Sequence, residues 1–186
     1  KVVSVTRISL TGTDAGNYTF NTSTATSADI TPAALTLSAL SDSKIYDGSI
    51  ASSAAPSATG LVAGDSLSSL VQVFDSRDAG SRILSVSSYS IDDGNGGANY
   101  TVTTQTAAGT ITPAALTLSA SSDSKVYDAT TASLAAPNLT GLVGGDTASA
   151  LVQVFDSRDA GSRILTVSSY SIDDGNGGNN YVVTTQ

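Results

Sequence analysis

The chain contains no cysteine, histidine, methionine, tryptophan or glutamate. Without cysteine there is no disulfide, and without cysteine and histidine the usual zinc ligand sets are gone. The same two absences remove the imidazole proton shuttle and the thiol nucleophile. Carboxylate pairs remain, but Asp92 and Asp93 are adjacent and face opposite ways in an extended segment, and the abundant serines and threonines have no evident activating base. An enzyme is not expected. Eight basic residues stand against sixteen aspartates, a net charge of −8 with no basic cluster, so neither nucleic acid nor an anionic membrane is an expected partner. No apolar run approaches the roughly 20 residues that span a bilayer, so membrane insertion is not expected either. The N-terminus lacks the basic, apolar and small-residue order of a secretory signal, and the chain reads as an internal piece of a longer polypeptide.

What the sequence has instead is glycine, serine, threonine and aspartate, a composition that favours strands joined by tight turns over helices. It also has itself again. Shifted by 81 positions, Ile30–Gln105 lies over Ile111–Gln186 without a gap and with 15 differences in 76 positions. The segment Phe74–Leu84 returns unchanged as Phe155–Leu165. The organisation expected is therefore residues 1–29 as the C-terminal part of a preceding repeat, 30–111 as a complete repeat, and 112–186 as a second repeat without its last strand. The latter should leave an open sheet edge. The charge divides evenly, with seven aspartates against one lysine and two arginines in each repeat.

Within a repeat, Leu35–Ala39 alternates like a half-buried strand. Ala51–Ala58 reads as a loop or irregular edge, and Gly60–Asp65 as a glycine-bracketed turn. Ser66–Phe74 reads as strand, with a single helical turn possible before Val71. Leu84 and Val86 share one parity while Tyr89 and Ile91 share the other, so a β-bulge near Ser87 and Ser88, and near Ser168 and Ser169, is needed to bring both halves to the core face. Short strands at regular spacing point to all-β modules, antiparallel sandwiches of Ig-like plan. The competing arrangement is a β-grasp-like module with a short helix over Ser66–Val71. Between repeats, Ile111-Thr112-Pro113-Ala114 leaves little slack, because Pro113 fixes its own φ and holds Thr112 extended.

Lys44-Ile45-Tyr46-Asp47-Gly48, Gly60-Leu61-Val62-Ala63-Gly64-Asp65, Asp78-Ala79-Gly80, Asp14-Ala15-Gly16-Asn17-Tyr18-Thr19 and the closing Ile-Thr-Pro-Ala at Ile30–Ala33 and Ile111–Ala114 together resemble the YDG-type repeats related to MBG domains. The resemblance covers nearly the whole chain. It implies an extracellular, β-rich spacer from tandem arrays of bacterial surface proteins, notably filamentous-haemagglutinin-like adhesins exported by two-partner secretion. Its expected partners are neighbouring repeats of the same chain. The second repeat departs from the motif, with Ala129 where the first has Gly48, so a positive φ is not expected there.

Two motifs are candidate sites. The loop Asp92-Asp93-Gly94-Asn95, repeated as Asp173-Asp174-Gly175-Asn176, offers oxygen ligands from a glycine-containing turn, which is what calcium requires; a hydrogen-bonded hairpin turn is the plainer reading. Tyr46 with Asp47, and Tyr127 with Asp128, could present an aromatic face and a carboxylate to an extracellular glycan or to a host or biofilm surface. Against that stands a tyrosine packed on the sheet with its hydroxyl outward, beside a turn-capping aspartate. Arg77, Asp78 and Arg82 are expected to organise a loop or a junction between modules. The leading expectation is a stalk or spacer of an adhesin; the alternative is a multivalent carbohydrate-binding module.

Overall fold

The computed structural model describes residues 1–21 and 23–186. Residues before the first full repeat form a two-stranded hairpin, β1 (Val2–Thr6) with β2 (Ser23–Ser27), and one 3-10 turn at Ala15–Asn17. The first full repeat contains β3 (Ala33–Ser38), β4 (Asp42–Ile45), β5 (Ser57–Thr59), β6 (Ser66–Phe74), β7 (Gly80–Asp92), β8 (Tyr100–Gln105) and β9 (Ala107–Thr112). The second contains β10 (Ala114–Ser119), β11 (Asn138–Thr140), β12 (Thr147–Phe155), β13 (Leu165–Asp173) and β14 (Tyr181–Thr185).

In the first repeat one sheet has the order β5-β3-β8 and the other β4-β9-β7-β6. Leu35 and Leu37 of β3 and Tyr100 of β8 form the buried centre of one face, against which Leu67, Leu70, Val86 and Ile91 of the other sheet pack. The module is thus an all-β sandwich. It is not antiparallel throughout: β3 and β8 run parallel, as do β4 and β9. The cause is a path taken twice. The chain leaves β3 in one sheet for β4 in the other, and later leaves β8 for β9 beside it in the same direction. Only pairs such as β6 with β7 have the hairpin geometry that alternation and turn signals announce.

Ser66–Phe74 is strand from end to end, and the short helix of the β-grasp alternative does not form there. Val71, Val73 and Phe74 favour a pleated surface, and β7 supplies the partner along the whole length. The bulge required by the parity change is present. Val71 pairs with Ser88 and Gln72 with Val86, which leaves Ser87 as the extra residue on β7, and a compensating irregularity lies between Ser68 and Val71 on β6. The second repeat has the same shifts. Ile91 packs against the core as expected, whereas Tyr89 remains 41% exposed.

Ala51–Pro56 is irregular but tied down, whereas Ser57 and Ala58 belong to the edge strand β5, where β3 supplies a pairing partner. Ala51 bridges Val73, and the Asp42 carboxylate accepts from the Ser52 hydroxyl at 2.7 Å and the Ser53 amide at 2.9 Å. These bonds, the Ser52 hydroxyl foremost, hold the Asp42 carboxyl down at about 2. Gln72, buried in β6, closes the same corner: its amide accepts from Leu40 N and donates to Leu40 O, each at 2.8 Å.

The two repeats differ where β9 lies. In the first, β9 sits between β4 and β7. In the second, the corresponding sheet contains β12 and β13 alone among the described residues, with no strand over 123–126. The connection between repeats is as short as expected, since Pro113 alone separates β9 from β10. One hydrophobic cluster runs through it, joining Tyr46, Phe74, Leu84 and Ile111 of the first repeat to Ala114, Leu116 and Tyr181 of the second.

Candidate functional site

The largest gathering of buried polar groups lies at this joint. Successive residues of an extended strand point to opposite sides, so the residues following β4 divide their work. Asp47 faces outward, 2.8 Å from the Lys44 ammonium, and accepts from the Ser49 amide at 2.9 Å, which closes the turn. Tyr46 faces inward and is 3% exposed. Its ring meets that of Tyr181 edge to face, with centroids 5.6 Å apart, and its hydroxyl donates to Asp146 Oδ2 at 2.9 Å. The hydroxyl of Tyr181 donates to the same oxygen at 2.6 Å and accepts from the Val143 amide at 2.9 Å. Burial raises the pKa of both phenols, and the neighbouring Asp146 carboxylate adds to the shift. Tyr181 is pushed up to about 12.

A second contact lies beside the first. Arg77 donates to the carbonyl of Asp174 at 3.0 Å and stands 4.0 Å from Asp146 Oδ1, a cation placed against an otherwise buried anion. The Ala79 amide donates to Asn180 Oδ1 at 2.8 Å. Arg82 shapes the donor loop, reaching back to the carbonyls of Asp78 at 2.6 Å and Ala79 at 2.8 Å. Arg77-Asp78-Ala79 therefore organises a junction, and Arg82 the loop that carries it. No buried side-chain nitrogen or oxygen lacks a hydrogen-bond partner among the described residues.

The aspartate-glycine-asparagine loop is the floor of the joint. Asp174 accepts from the amides of Asn176, Gly178 and Asn180 at 2.8, 2.8 and 3.0 Å. Burial opposes its ionisation, but these three amides outweigh burial and its carboxyl is lowered. Asp93 makes the same bonds to Asn95, Gly97 and Asn99, chiefly Gly97, and is likewise lowered. Asp92 and Asp173 end their strands on the exposed side, while Asn95 and Asn176 donate to Asn99 and Asn180. Among the described residues no three acidic side chains gather as metal ligands would. The loops differ in cover: Asp174 and Asn180 are buried beneath Arg77-Asp78-Ala79, whereas Asn99 is exposed.

The two tyrosine and aspartate pairs are likewise in different surroundings. Tyr127, the counterpart of Tyr46, is 61% exposed, and Asp128 pairs with Lys125 at 3.0 Å. The structure does not bring Tyr46 and Asp47 onto one surface. Ala129 has φ +62 and Gly48 +76, so the left-handed conformation expected only of glycine is present in both repeats. The turn imposes it: Asp128 accepts from the Thr130 amide at 2.9 Å, as Asp47 does from Ser49, and the alanine follows.

Sequence reasoning missed Asp146 and Asn180. Both lie in segments that read as turns, and Tyr46 is 100 residues from Asp146. A signal did exist. Asp65 and Asp146 stand at the same place in two copies of Gly-Leu-Val-x-Gly-Asp, and Tyr100 donates to Asp65 as Tyr181 does to Asp146, so the acceptor half of the joint is complete within each repeat.

Comparison with known families matches the chain to the family described as the YDG domain, over residues 31–107 and again over 112–186. No curated protein matches the chain. No solved structure does either.

Proposed function

The chain belongs to the YDG domain family, and from that premise we propose that its repeats are the structural stalk of a secreted or surface-anchored, filamentous-haemagglutinin-like bacterial adhesin, holding a distal binding region away from the cell. The observation that carries this reading is the joint. Each repeat bears a plug, the tyrosine after β4 with the Arg-Asp-Ala loop, and a socket, the aspartate after the glycine turn with the tyrosine and asparagine around the start of its last parallel strand. Plug and socket of successive repeats meet at Tyr46–Asp146 and Ala79–Asn180. The outer copies, Tyr127 at one end and Asp65 with Tyr100 at the other, are spare halves of the same joint, so the unit can be extended in either direction at a fixed angle. A spacer needs that property. Burial of Tyr46 in the joint also removes it from use as a glycan platform.

A joint that resists bending is measurable. With no native cysteine, Ser43→Cys and Asn138→Cys give two unique spin-label positions in different repeats. Pulsed dipolar spectroscopy is expected to give one narrow distance distribution, broadened by Asp146→Ala. A broad distribution in the unaltered joint would overturn the stalk. So would reproducible binding on a glycan array that Tyr127→Ala abolishes, because the repeats would then be acting as multivalent lectin modules.

A further inference from the structure

The parallel strand pairs lie where tension on the chain runs. Load applied across the first repeat enters β3 at Ala33 and leaves β9 at Thr112, towards Pro113. β3 is paired in parallel with β8 over its whole length, from Ala33 opposite Tyr100 to Ser38 opposite Gln105. Thr106 alone separates β8 from β9 in the other sheet, which is too little chain for a hairpin turn, so the two strands continue in one direction. Residues 39–41 likewise carry β3 on to β4, and β4 is paired in parallel with β9, from Asp42 opposite Gly109 to Ile45 opposite Thr112. Tension therefore draws β3 and β4 towards their N-terminal ends and β8 and β9 towards their C-terminal ends. Both parallel pairs are loaded along their length.

We propose that these two pairs, one in each sheet, are the load-bearing element of the repeat, a double shear clamp that keeps the stalk at fixed length under tension. The proposal rests on the stalk reading and deepens it, since it names the force that such a stalk withstands and the bonds that meet it. Bonds of a ladder sheared along its length share the load and fail together, whereas a ladder pulled open from one end fails one bond at a time. The ladder between β3 and β8 is tied at both ends: the Ala33 amide donates to the carbonyl of Asn99 at 2.8 Å, and the Ala39 amide to that of Gln105 at 2.9 Å. Ser38 adds a hydroxyl bond to the Gln105 side chain at 3.0 Å. Leu35 and Leu37 are fully buried, and sliding β3 by one residue turns both out of the core. On the exit side β9 is gripped a second time, by β7 from Gly80 to Leu84. The second repeat has the first of these ladders again, β10 parallel to β14 from Ala114 opposite Tyr181 to Leu118 opposite Thr185. Pro113 alone joins β9 to β10, so opening of the joint between repeats releases little length.

Single-molecule force spectroscopy on the full chain tests this through the choice of handles. The chain has no cysteine, so Thr31→Cys with Ala115→Cys, both exposed, brackets the first repeat. Ser66→Cys with Asp92→Cys, exposed and opposite each other at one end of β6 and β7, instead pulls that antiparallel pair open from its end. Forced unfolding reads the barrier and not the equilibrium stability, so the same fold can answer differently to the two directions. At a matched loading rate the first pair of handles should give one rupture that releases the whole repeat, at a force severalfold above the second. Ala33→Pro removes the bond at the point of entry from the first residue of a strand, where proline is tolerated. It should lower the first force and leave the second unchanged. Equal forces with both pairs of handles, opening between residues 31 and 115 by small successive steps, or a first force indifferent to Ala33→Pro would overturn the clamp. A low first force together with a narrow spin-label distribution would overturn the clamp and leave the stalk reading standing; a high force with a broad distribution would support the clamp and sink the stalk.

Discussion

Tyr46 and Asp146 lie 100 residues apart in the chain and 2.9 Å apart in space, and the bond between them crosses from one repeat to the next. Asp146 also accepts from Tyr181. Its replacement by alanine strands two phenols in a joint that excludes water. At about 1–3 kcal/mol for each buried donor left unpaired, Asp146→Ala should cost about 2–4 kcal/mol. Asp65→Ala is the internal control. Asp65 holds the same place in the first repeat but accepts from one tyrosine, Tyr100, and is half-buried, so about 1 kcal/mol is expected. Urea unfolding of the two variants checks the difference. Equal losses would mean that the crossing bond contributes nothing.

The same geometry sets a pH dependence on the alkaline side. Tyr46 and Tyr181 are raised above the ordinary value of 10, Tyr181 to about 12, chiefly by burial. The folded state therefore keeps its phenolic protons where the unfolded state loses them. Stability falls with pH wherever the folded state holds more protons. The contribution of the joint is complete below pH 10 and is lost as pH rises towards 12. Thermal unfolding between pH 9 and about 12 should show this fall, and Tyr46→Phe should shrink it, since the ring stays while one titrating hydroxyl goes. A pH profile unchanged by that substitution would remove Tyr46 from the argument.

The repeat itself was plain in the residues, as were the strand over Ser66–Phe74, the bulge at Ser87 and the short Thr112-Pro113 connection, because periodicity and proline act locally. The parallel pairs β3 with β8 and β4 with β9 were not, since nothing local tells a strand which way its neighbour runs. The joint was half legible. Arg77 and Asp78 suggested a junction by their charge, but Tyr46 was read within its own repeat, where its neighbour in sequence is Asp47. Its partner belongs to the next copy. A tandem repeat hides such contacts well, because every residue of the interface is present twice and pairing within a repeat looks as natural as pairing across.

Ala129 carries a further prediction. Its φ of +62 places a Cβ in the left-handed region, which costs roughly 1–2 kcal/mol for a residue other than glycine. Ala129→Gly restores the residue of the first repeat. After allowance for the greater freedom of glycine when unfolded, the second repeat should gain about 0.5–1 kcal/mol. Gly48→Ala should lose more than Ala129→Gly gains, because its new Cβ would also come within 3.2 Å of Val143 across the joint. Denaturant midpoints of both variants test the sign. Destabilisation by Ala129→Gly would show that the alanine methyl is used elsewhere.

The last prediction concerns two buried amides that no motif announced. Gln72 and Gln153 sit inside strands whose other inward residues are apolar, and each holds a backbone corner, Leu40 for one and Ser121 for the other, through paired 2.8 Å bonds to its N–H and C=O. A serine hydroxyl takes the remaining proton of each, Ser52 at 3.0 Å and Ser133 at 3.1 Å. Replacement by leucine keeps most of the volume and adds apolar surface, so a purely packing role predicts no loss. If the amide serves the backbone, Gln72→Leu unpairs two main-chain groups at a partly buried corner and should cost about 1–3 kcal/mol. Hydrogen exchange separates the two: the Leu40 amide should exchange faster in Gln72→Leu while the Ser121 amide stays protected, and Gln153→Leu should do the reverse. Exchange that stays slow at both corners would return the glutamines to filler, and the corners would owe their order to the serine and aspartate bonds of the adjoining loop.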